Sequence, residues 1–445
     1  MTKQMINHKR ITLQTILLLL IVAWAGTISC NHTSGSDDDT DTTPGSDGDS
    51  DADADGDTDA DSDSDADMNS YSGVDILFVM DYDNSLSYVS RTLSASVHTL
   101  INSITQNQSG ETGTPTTDIR IGVTTVNLGV SADGIPCTEE FLTAANCEGL
   151  GQNGELLAST ATEAVEVSIS KISCENNTFC PASYECDSAG SVCDGLNAPD
   201  AIISCDSRPA DRSEAFITLN ETDIMTSAME AACLVDHSMD GCGYEQQLGA
   251  AARGLVSNDS FIRADSLTVV IVISDKNDCT IGSTDWYDVE ELKTIDANLA
   301  CGRHPDMMVR VETLRDRYLD AKRAVSGKSG GILFAAITGV PAVPNCQGDG
   351  NMISNCLNEP LETGGTVGSP DEISVELGGL DTPVFSYVCK LTADTGTSTR
   401  HVYPAGRIVQ MVQSFGAMGY MYSYCNDDWT PAMNEIGQKI KSMQQ

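Results

Sequence analysis

The stretch VDILFVMDYDNSLS, residues 74–87, constrains the fold of this chain more than any other. It opens with consecutive apolar residues from Ile76 to Met80, which are typical of a β-strand buried on both faces. Side chains that carry oxygen follow at once, at Asp81, Asp83, Asn84, Ser85 and Ser87. Ligand crevices lie at the carboxyl ends of parallel strands, so the D-x-S-x-S spacing of Asp83, Ser85 and Ser87 predicts a divalent-cation site there. The same residue types are also typical of a helix N-cap, and this alternative stays open.

Segments with the periodicity of strands and of helices alternate along the remaining chain. Strand-like runs occupy 119–126, 267–274, 331–339 and 419–424, and helical patterns occupy 88–105, 224–234, 245–255, 309–325, 407–415 and 431–443. Repeated β–α units predict a doubly wound α/β fold, whose mostly parallel sheet carries helices on both faces. Cysteine-bearing stretches at about 137–213 and 341–400 interrupt the alternation, and we predict that both are loop insertions.

The first 29 residues have the organisation of an export signal. Basic residues without any acid precede an apolar stretch at 11–25, which is shorter than the roughly 18 residues that span a membrane. Small residues then lead to Cys30, an arrangement that resembles the bacterial lipoprotein box, with Thr27 where that box most often has Leu. We therefore expect a lipoprotein signal peptide over 1–29 and a lipid on Cys30, with a retained signal anchor as the alternative.

Residues 30–70 form an acidic segment of low complexity. Fifteen Asp lie between Asp37 and Asp67, separated by Ser, Thr, Gly and Ala. Such a composition buries no core and repels itself, which predicts an extended, disordered tether. The whole chain carries a formal net charge of −41, only part of which lies in the tether. This charge argues against nucleic acid as a partner.

The cysteines support export independently of the signal. Of the 16 cysteines, 15 follow Cys30, and no C-x-x-C pair occurs among them. Disulfides are therefore expected instead of zinc sites, as is typical of proteins in an oxidising compartment. Because 15 is odd, one thiol is expected to stay free or to pair with another chain.

Five separated motifs together resemble von Willebrand factor type A domains, most of all the secreted, Cys-rich lipoprotein form of the delta-proteobacterial type. The motifs are VDILFVMDYDNSLS, IRIGVTTVN, GCGYEQQLGAAARGL, FIRADSLTVVIVISDKNDCT and GYMYSYCNDDWTPAMNEIGQKI, in the order expected of that family. The resemblance covers residues 71–445. It implies one Rossmann-like type A domain over that range, with the two disulfide-rich insertions inside it.

The resemblance also implies a metal site, the metal-ion-dependent adhesion site of the family. That site takes an Asp and two Ser from D-x-S-x-S, a Thr from a second loop and an Asp from the end of the fourth strand. Carried over to this sequence, the ligands are Asp83, Ser85, Ser87 and Asp275, with Glu245 at the position of the Thr. The implied cation is Mg²⁺ or Ca²⁺.

Two departures from the family pattern affect this site. Glu245 adds a third carboxylate, which should weaken capture of an acidic partner group or favour Ca²⁺ over Mg²⁺. The pair Asp81-Tyr82 between strand and motif leaves the register open. Asp81 therefore either supports the ligands or replaces Asp83 as one of them.

Domains of this family bind and do not catalyse. Their cation keeps an open coordination position, which an acidic side chain of a partner protein fills. The resemblance thus implies a non-enzymatic adhesion protein that is exported and anchored by a lipid to the cell envelope, at the outer membrane or cell surface.

The opening stretch also resembles the first motif of haloacid-dehalogenase-like phosphatases, which implies an alternative function. In that family the first Asp is the nucleophile and the second the general acid, which gives these roles to Asp81 and Asp83 beside Mg²⁺. The family also requires a Lys and an acidic pair, for which the candidates are Lys276 or Lys328, and Asp275 with Asp278. Turnover of a generic phosphate ester with Mg²⁺ would distinguish the two functions.

Overall fold

The computed structural model describes the part of the chain that carries most of the predicted strands and helices. The described residues are 71–81, 90–106, 116, 118–129, 131–132, 135–136, 151–157, 165–167, 185–186, 193–194, 201–203, 215–219, 224–235, 244–258, 260–283, 285–286, 295, 297–328, 330–377, 380–392 and 399–444. The predicted signal peptide, Cys30, the tether and most of the first insertion lie outside these ranges, and they stay predictions.

A central sheet of seven strands organises the described residues. Its strands are β1 (Gly73–Met80), β2 (Ile119–Thr125), β3 (Ile217–Thr218), β4 (Ser266–Ser274), β5 (Ile332–Thr338), β6 (Gly348–Asp349) and β7 (Gly419–Ser423). They lie in the order β6-β7-β5-β4-β1-β2-β3. The five inner strands are parallel, and the edge strands β6 and β3 are antiparallel to their neighbours. Every residue of β1, β4 and β5 is buried, as their unbroken apolar sequences predict.

Helices cover both faces of this sheet, which makes the fold α/β. The described helices are α1 (Ser90–Thr105), α2 (Ile224–Val235), α3 (Gln247–Ser257), α4 (Ala297–Arg303), α5 (Val311–Ser326), α6 (Gly406–Ser414) and α7 (Thr430–Ser442). Apolar side chains of α1, α2 and α7 share a buried cluster with one face, and those of α3, α5 and α6 share a second cluster with the other. Burial of these amphipathic surfaces is the main term that stabilises such a sheet. In the described part of the chain, every helix is too short or too polar to cross a lipid bilayer.

Helix α1 shows how the sequence sets this packing. Leu93, Val97 and Leu100 recur at helical spacing and are fully buried. The helix packs against α7, where a Cβ at Gly437 would meet the Ser103 Oγ at 1.6 Å. Only glycine at this position allows the two helices to come so close.

The predicted strands and helices are confirmed to within a few residues at their ends. The sequence did not predict β3, β6 or α4. Each of the two edge strands has only two residues, which is too short to show an alternating pattern, and α4 has seven.

Short hairpins and turns make up the rest of the described structure. Between α5 and α6, the antiparallel pairs are Gly365–Thr366 with Ser369–Pro370, Glu372–Leu377 with Leu380–Phe385, and Cys389–Thr392 with Thr399–Val402. Between β2 and β3, they are Ser131–Ala132 with Ile135–Pro136, Val165–Val167 with Ala201–Ile203, and Glu185–Cys186 with Cys193–Asp194. Single 3-10 turns occupy Pro305–Met307, Pro344–Cys346, Cys356–Asn358 and Gly416–Met418. The predicted insertion at 341–400 therefore has regular structure of its own.

Disulfides link the loops at the carboxyl end of the sheet, and one lies in the segment predicted to be the second insertion. Within the described ranges the bonds are Cys279–Cys301, Cys346–Cys356 and Cys389–Cys425. The first ties the loop after β4 to α4, and the third ties the last hairpin to the loop after β7. Neither of these links was predicted, because pairing cannot be read from cysteine spacing alone. No described cysteine is free, so the predicted unpaired thiol is not among them.

A largely buried ionic group with one half-exposed acid, here called the amino-end network, lies at the amino ends of β1, β2 and β4. It consists of Asp75, Asp118, Arg263, Ser266 and Lys322. The Asp75 carboxylate is fully buried and accepts the Arg263 backbone N–H at 2.7 Å, the Arg263 Nε–H at 2.8 Å and the Ser266 hydroxyl. Arg263 also pairs with Asp118. The Lys322 Nζ donates to the backbone carbonyls of Arg263 at 2.8 Å and Ser266 at 2.6 Å.

Candidate metal site

The carboxyl ends of β1 and β4 place two acidic residues side by side. These strands are parallel neighbours, with Met80 opposite Ile273. Asp81 follows Met80, and its backbone N–H donates to the Ile273 carbonyl at 3.0 Å, which extends the strand pairing by one residue. Asp275 is likewise the first residue after its strand, β4. Both Asp residues are fully buried, and both leave the sheet at the same edge.

Glu245 reaches the same point from the loop before α3. Its backbone carbonyl accepts the Cys279 N–H at 2.7 Å. The neighbouring Gln246 side chain joins two further loops, because it donates to the Gly129 carbonyl at 3.1 Å and accepts the Ile281 N–H at 3.2 Å. These bonds hold the loop to the segments that follow β2 and β4, and Glu245 is only 1% exposed.

The loop that follows β4 also fixes the first turn of α3. The Leu248 N–H donates to Asp278 Oδ1 at 2.9 Å, and the Gly249 N–H donates to Thr280 Oγ1 at 2.9 Å. Side chains from a distant loop thus satisfy two donors that a helix start leaves unpaired. A Cβ at Gly249 would lie 2.6 Å from the Thr280 Cγ2, so glycine permits this approach. The start of α3, and with it Glu245, is held close to the end of β4.

Asp81, Glu245 and Asp275 together form a cluster that we call the carboxylate triad. Each residue offers one carboxylate oxygen, and these oxygens all lie within 4.8 Å of one another. Carboxylate oxygens are preferred ligands of Mg²⁺ and Ca²⁺, and two ligands of one Ca²⁺ can lie as much as about 5 Å apart. The triad can therefore supply three ligands to one divalent cation. Both ions take six or more ligands, which leaves positions for other groups.

Two basic side chains face the triad. Lys276 pairs through its Nζ with Glu245 Oε1, and the Arg400 Nε donates to Asp275 Oδ2 at 3.0 Å. Arg400 comes from the hairpin strand Thr399–Val402, whose next residue, Tyr403, donates its N–H to the Asp275 carbonyl at 2.8 Å. Three acids thus face two bases in a buried space.

Neutral donors complete the surroundings of Glu245. Its Oε2 accepts the Ser274 hydroxyl at 2.9 Å and the Gln247 Nε2–H at 3.1 Å. Gln247 also donates to the Ser274 Oγ at 2.8 Å. These contacts fix the direction of the Glu245 carboxylate, as hydrogen bonds around metal ligands commonly do.

Burial governs the protonation of the triad. Removal from water raises the pKa of Glu245, and the Asp81 charge adds to the rise while Lys276 opposes it. The pKa of Asp275 is also raised, first by burial and then by Asp81. Burial alone would lower the pKa of Lys276, but the surrounding carboxylates raise it, so the ammonium stays charged. The triad is therefore short of positive charge.

One oxygen of the triad accepts no hydrogen bond. Asp275 Oδ1 is buried and has no donor, although Oδ2 of the same carboxylate is bound by Arg400. Burial and the Asp81 charge raise the pKa of Asp275 while Lys276 opposes the rise, and the Asp81 carboxyl lies within hydrogen-bonding reach, so the two acids can share a proton only if one of them is neutral. A buried acceptor without a partner is costly, and it calls for an ion, a water or a proton. A cation between Asp81 and Asp275 would satisfy this oxygen.

The structure brings together two of the residues that the sequence proposed as ligands. Glu245 and Asp275 meet at the carboxyl edge, and Asp81 joins them. The predicted ligands Asp83, Ser85 and Ser87 fall outside the described residues. Whether Asp81 replaces Asp83 as a ligand therefore stays open.

Sequence reasoning missed the part that Lys276 and Arg400 play here. Lys276 follows Asp275 directly, so its position beside the triad was readable, although its pairing with Glu245 was not. Arg400 lies 125 residues from Asp275 in a stretch that showed no motif. No signal in the sequence pointed to it.

The residues that the phosphatase alternative requires are only partly together. Asp278 is buried and is bound by Leu248 N–H, by the Thr280 hydroxyl at 2.7 Å and by Arg407, so it serves as a cap for α3. Lys328 lies between α5 and β5, at the amino end of the sheet and opposite the triad. Of the two candidate lysines, Lys276 is the one at the site.

Comparison with protein-family models, with curated proteins and with solved structures gives no match to this chain.

Proposed function

We propose that this protein is an extracytoplasmic binding protein of the von Willebrand factor type A kind, which holds a divalent cation at the carboxylate triad and uses it to bind a protein partner. The observation that carries the proposal is the triad itself. Three buried carboxylates converge within 4.8 Å at the end of two parallel strands, and Asp275 Oδ1 has no donor. Buried acids without enough counter-charge are unfavourable, and a bound cation removes the penalty.

The position of the triad also supports this function. It lies at the carboxyl edge of a parallel sheet, where α/β proteins bind ligands. Three carboxylates match Ca²⁺ or Mg²⁺, since both ions prefer oxygen, whereas zinc sites mostly use Cys and His. Ca²⁺ fits better, because it accepts more anionic ligands and a less regular geometry.

Binding explains the described site more simply than phosphoryl chemistry does. A binding site needs only a fixed cation with an open position, and an acidic side chain of the partner can fill that position. The alternative needs a second acidic residue beside Asp275, and the Asp278 carboxylate is already engaged by α3 and Arg407. The partner chemistry that we propose is therefore a carboxylate on another protein.

Metal titration of the full chain tests the proposal. Ca²⁺ or Mg²⁺ should raise the free energy of unfolding by about 2.7 kcal/mol at 100 times the dissociation constant. Asp275→Asn should lose most of this response, because it removes one ligand charge. Asp316→Asn, at an exposed position on α5, is the matched control and should respond as the wild type does. The measurement is thermal unfolding combined with calorimetric titration.

Two results would contradict the proposal. A wild-type chain that responds to neither ion has no metal site of the proposed kind. Turnover of a generic phosphate ester with Mg²⁺, lost in Asp81→Asn, would favour the phosphatase alternative.

The proposed location rests on the sequence features of the first 70 residues. A lipid on Cys30 would hold the protein at the cell envelope, and the acidic tether would carry the domain away from the membrane. Cys30→Ser should then leave the protein in the soluble fraction or as an unprocessed precursor. Fractionation that finds the variant processed and membrane-bound like the wild type would rule the anchor out.

A further inference from the structure

Lys276 reaches across the carboxylate triad instead of pointing away from it. The residue follows Asp275 in the chain, yet its ammonium pairs with Glu245, which comes from the loop before α3. Its backbone N–H donates to the Ser274 Oγ at 3.1 Å, and that hydroxyl also donates to Glu245. Only 11% of the lysine side chain is exposed. Lysine is rarely buried to this degree without a dedicated anionic partner.

The charge of Lys276 acts on all three acids of the triad. The carboxylates of Glu245, Asp81 and Asp275 each stabilise its ammonium. The ammonium therefore takes the electrostatic role that a metal ion would have. It does so incompletely, because it carries one charge and leaves Asp275 Oδ1 without a donor.

Arg400 has a different relation to the triad. Its Nε binds Asp275 Oδ2, the oxygen of that carboxylate that is already satisfied, while Oδ1 stays available. An outer hydrogen bond of this kind can persist when the carboxylate binds a metal, and it then orients the ligand. Lys276, by contrast, occupies an oxygen of Glu245 in the interior of the cluster.

We infer that Lys276 is a tethered competitor of the divalent cation, which fills the triad in the metal-free protein and must leave Glu245 when the ion binds. This inference rests on the proposed metal site and adds what sets its affinity. A divalent ion and an ammonium repel each other at close range, so both cannot sit among the same oxygens. The flexible four-carbon stem of a lysine allows the ammonium to swing towards solvent.

The consequence is a site that binds its cation only at a higher cation concentration than three free carboxylates would need. The ion must replace an existing ion pair, so the observed affinity is lower than that of three free carboxylates. In return, the metal-free protein avoids most of the repulsion among its buried acids. Lys276 is thus a residue that determines affinity and selectivity, because a singly charged ion gains too little to displace it.

Calorimetric titration of the full chain with Ca²⁺ tests the inference. Lys276→Met keeps the apolar stem and removes the charge, so it should bind Ca²⁺ about tenfold more tightly or better. Lys276→Arg keeps the charge and should bind no more tightly than the wild type. Lys328→Met makes the same chemical change at an exposed position at the other end of the sheet, and it should leave the affinity unchanged. A merely structural role predicts weaker binding in Lys276→Met, which is the opposite sign.

Labelling of lysine amines in the wild type is the second measurement. Saturating Ca²⁺ should increase the acylation rate of Lys276 several-fold and leave that of Lys322, in the amino-end network, unchanged. If Lys276→Met folds only with Ca²⁺, that requirement also supports the inference, because the triad then lacks its internal cation.

The outcomes separate the inference from the proposed function. Wild type and Lys276→Met that bind Ca²⁺ equally well, with no change in Lys276 labelling, overturn the inference and leave the metal site standing. No binding by either protein overturns both.

Discussion

The amino-end network and the carboxylate triad lie at opposite ends of the same two strands, β1 and β4, and both contain fully buried acids. In the amino-end network, both Asp75 oxygens accept hydrogen bonds, one from the Arg263 Nε and the other from the Arg263 backbone N–H and the Ser266 hydroxyl. In the triad, Asp275 Oδ1 accepts none. Asp75 and Asp275 are equally buried, but they differ in how completely their carboxylate oxygens are hydrogen-bonded.

Charge balance separates the two ends in the same way. At the amino end one fully buried acid, Asp75, faces Arg263 and Lys322, whereas the neighbouring acids Asp118 and Asp265 are half-exposed or exposed to water. The triad has three acids against Lys276 and Arg400. The first pattern is that of a structural ion pair, which is complete without any ligand. The second pattern is that of a ligand site, in which a bound cation supplies the missing positive charge. An excess of acid over base therefore identifies such a site better than burial does.

Removal of the Arg263 side chain should have the largest effect. Arg263→Met leaves the Asp75 carboxylate buried without its counter-charge, and it should lower the free energy of unfolding by about 3–5 kcal/mol. The response to Ca²⁺ should be retained, because the triad lies at the other end of the strands. Arg310→Met is the control, since that arginine is 80% exposed and its pair with Glu312 should contribute little. Urea unfolding with and without Ca²⁺ measures both effects.

A small loss in Arg263→Met, comparable with that of Arg310→Met, would break the comparison. It would mean that the amino-end network is no more structural than a surface ion pair.

The loss of stability at acid pH also distinguishes the two ends, after the contribution of His98 on α1 has been subtracted. Burial lowers the pKa of His98 from its ordinary value of 6.5 to about 4. The unfolded chain therefore binds a proton before the folded one does. The stability that His98 contributes is complete above pH 6.5 and is lost as pH falls through about 4, with a total of about 3 kcal/mol.

His98→Gln isolates this term. The variant does not titrate at position 98, so its stability should fall by about 3 kcal/mol less than that of the wild type on the same acidification. The triad works in the opposite direction, because the pKa values of Glu245 and Asp275 are raised and the folded protein takes up their protons before the unfolded chain does. Parallel pH profiles of the two proteins, measured by urea unfolding with a chelator present, would show that His98 is not the acid-sensitive group.

Matched Asp→Asn changes at the two ends should give the smallest effect and the most direct contrast. In the metal-free protein, Asp275→Asn should change stability by no more than about 1 kcal/mol or should stabilise, because the amide can donate to Asp81 and one repelling charge is lost. Asp75→Asn should destabilise by about 1–3 kcal/mol, because its amide faces donors and Arg263 loses its partner. Both are measured with a chelator present. Equal losses at the two ends would show that the triad is as complete without metal as the amino-end network is.

The sequence by itself determined the strands, the helices and the acids at the strand ends. The apolar runs of β1 and β4 are local patterns, and the residue after each run must leave the sheet at its carboxyl edge. Asp81 and Asp275 could therefore be placed at that edge from the sequence alone, and Glu245 was expected there from the family resemblance. The ligand roles of Asp83, Ser85 and Ser87 stay predictions.

Only the tertiary structure decided how the charges of the site are balanced. Arg400 reaches Asp275 because the hairpin that carries it folds back over the loop after β4, and Cys389–Cys425 fastens that hairpin to the loop after β7. Lys276 turns to Glu245 because the start of α3 is fixed beside the end of β4. Sequence patterns record which side chains lie near one another along a strand or helix, whereas the partner of a buried charge depends on which distant loops meet it.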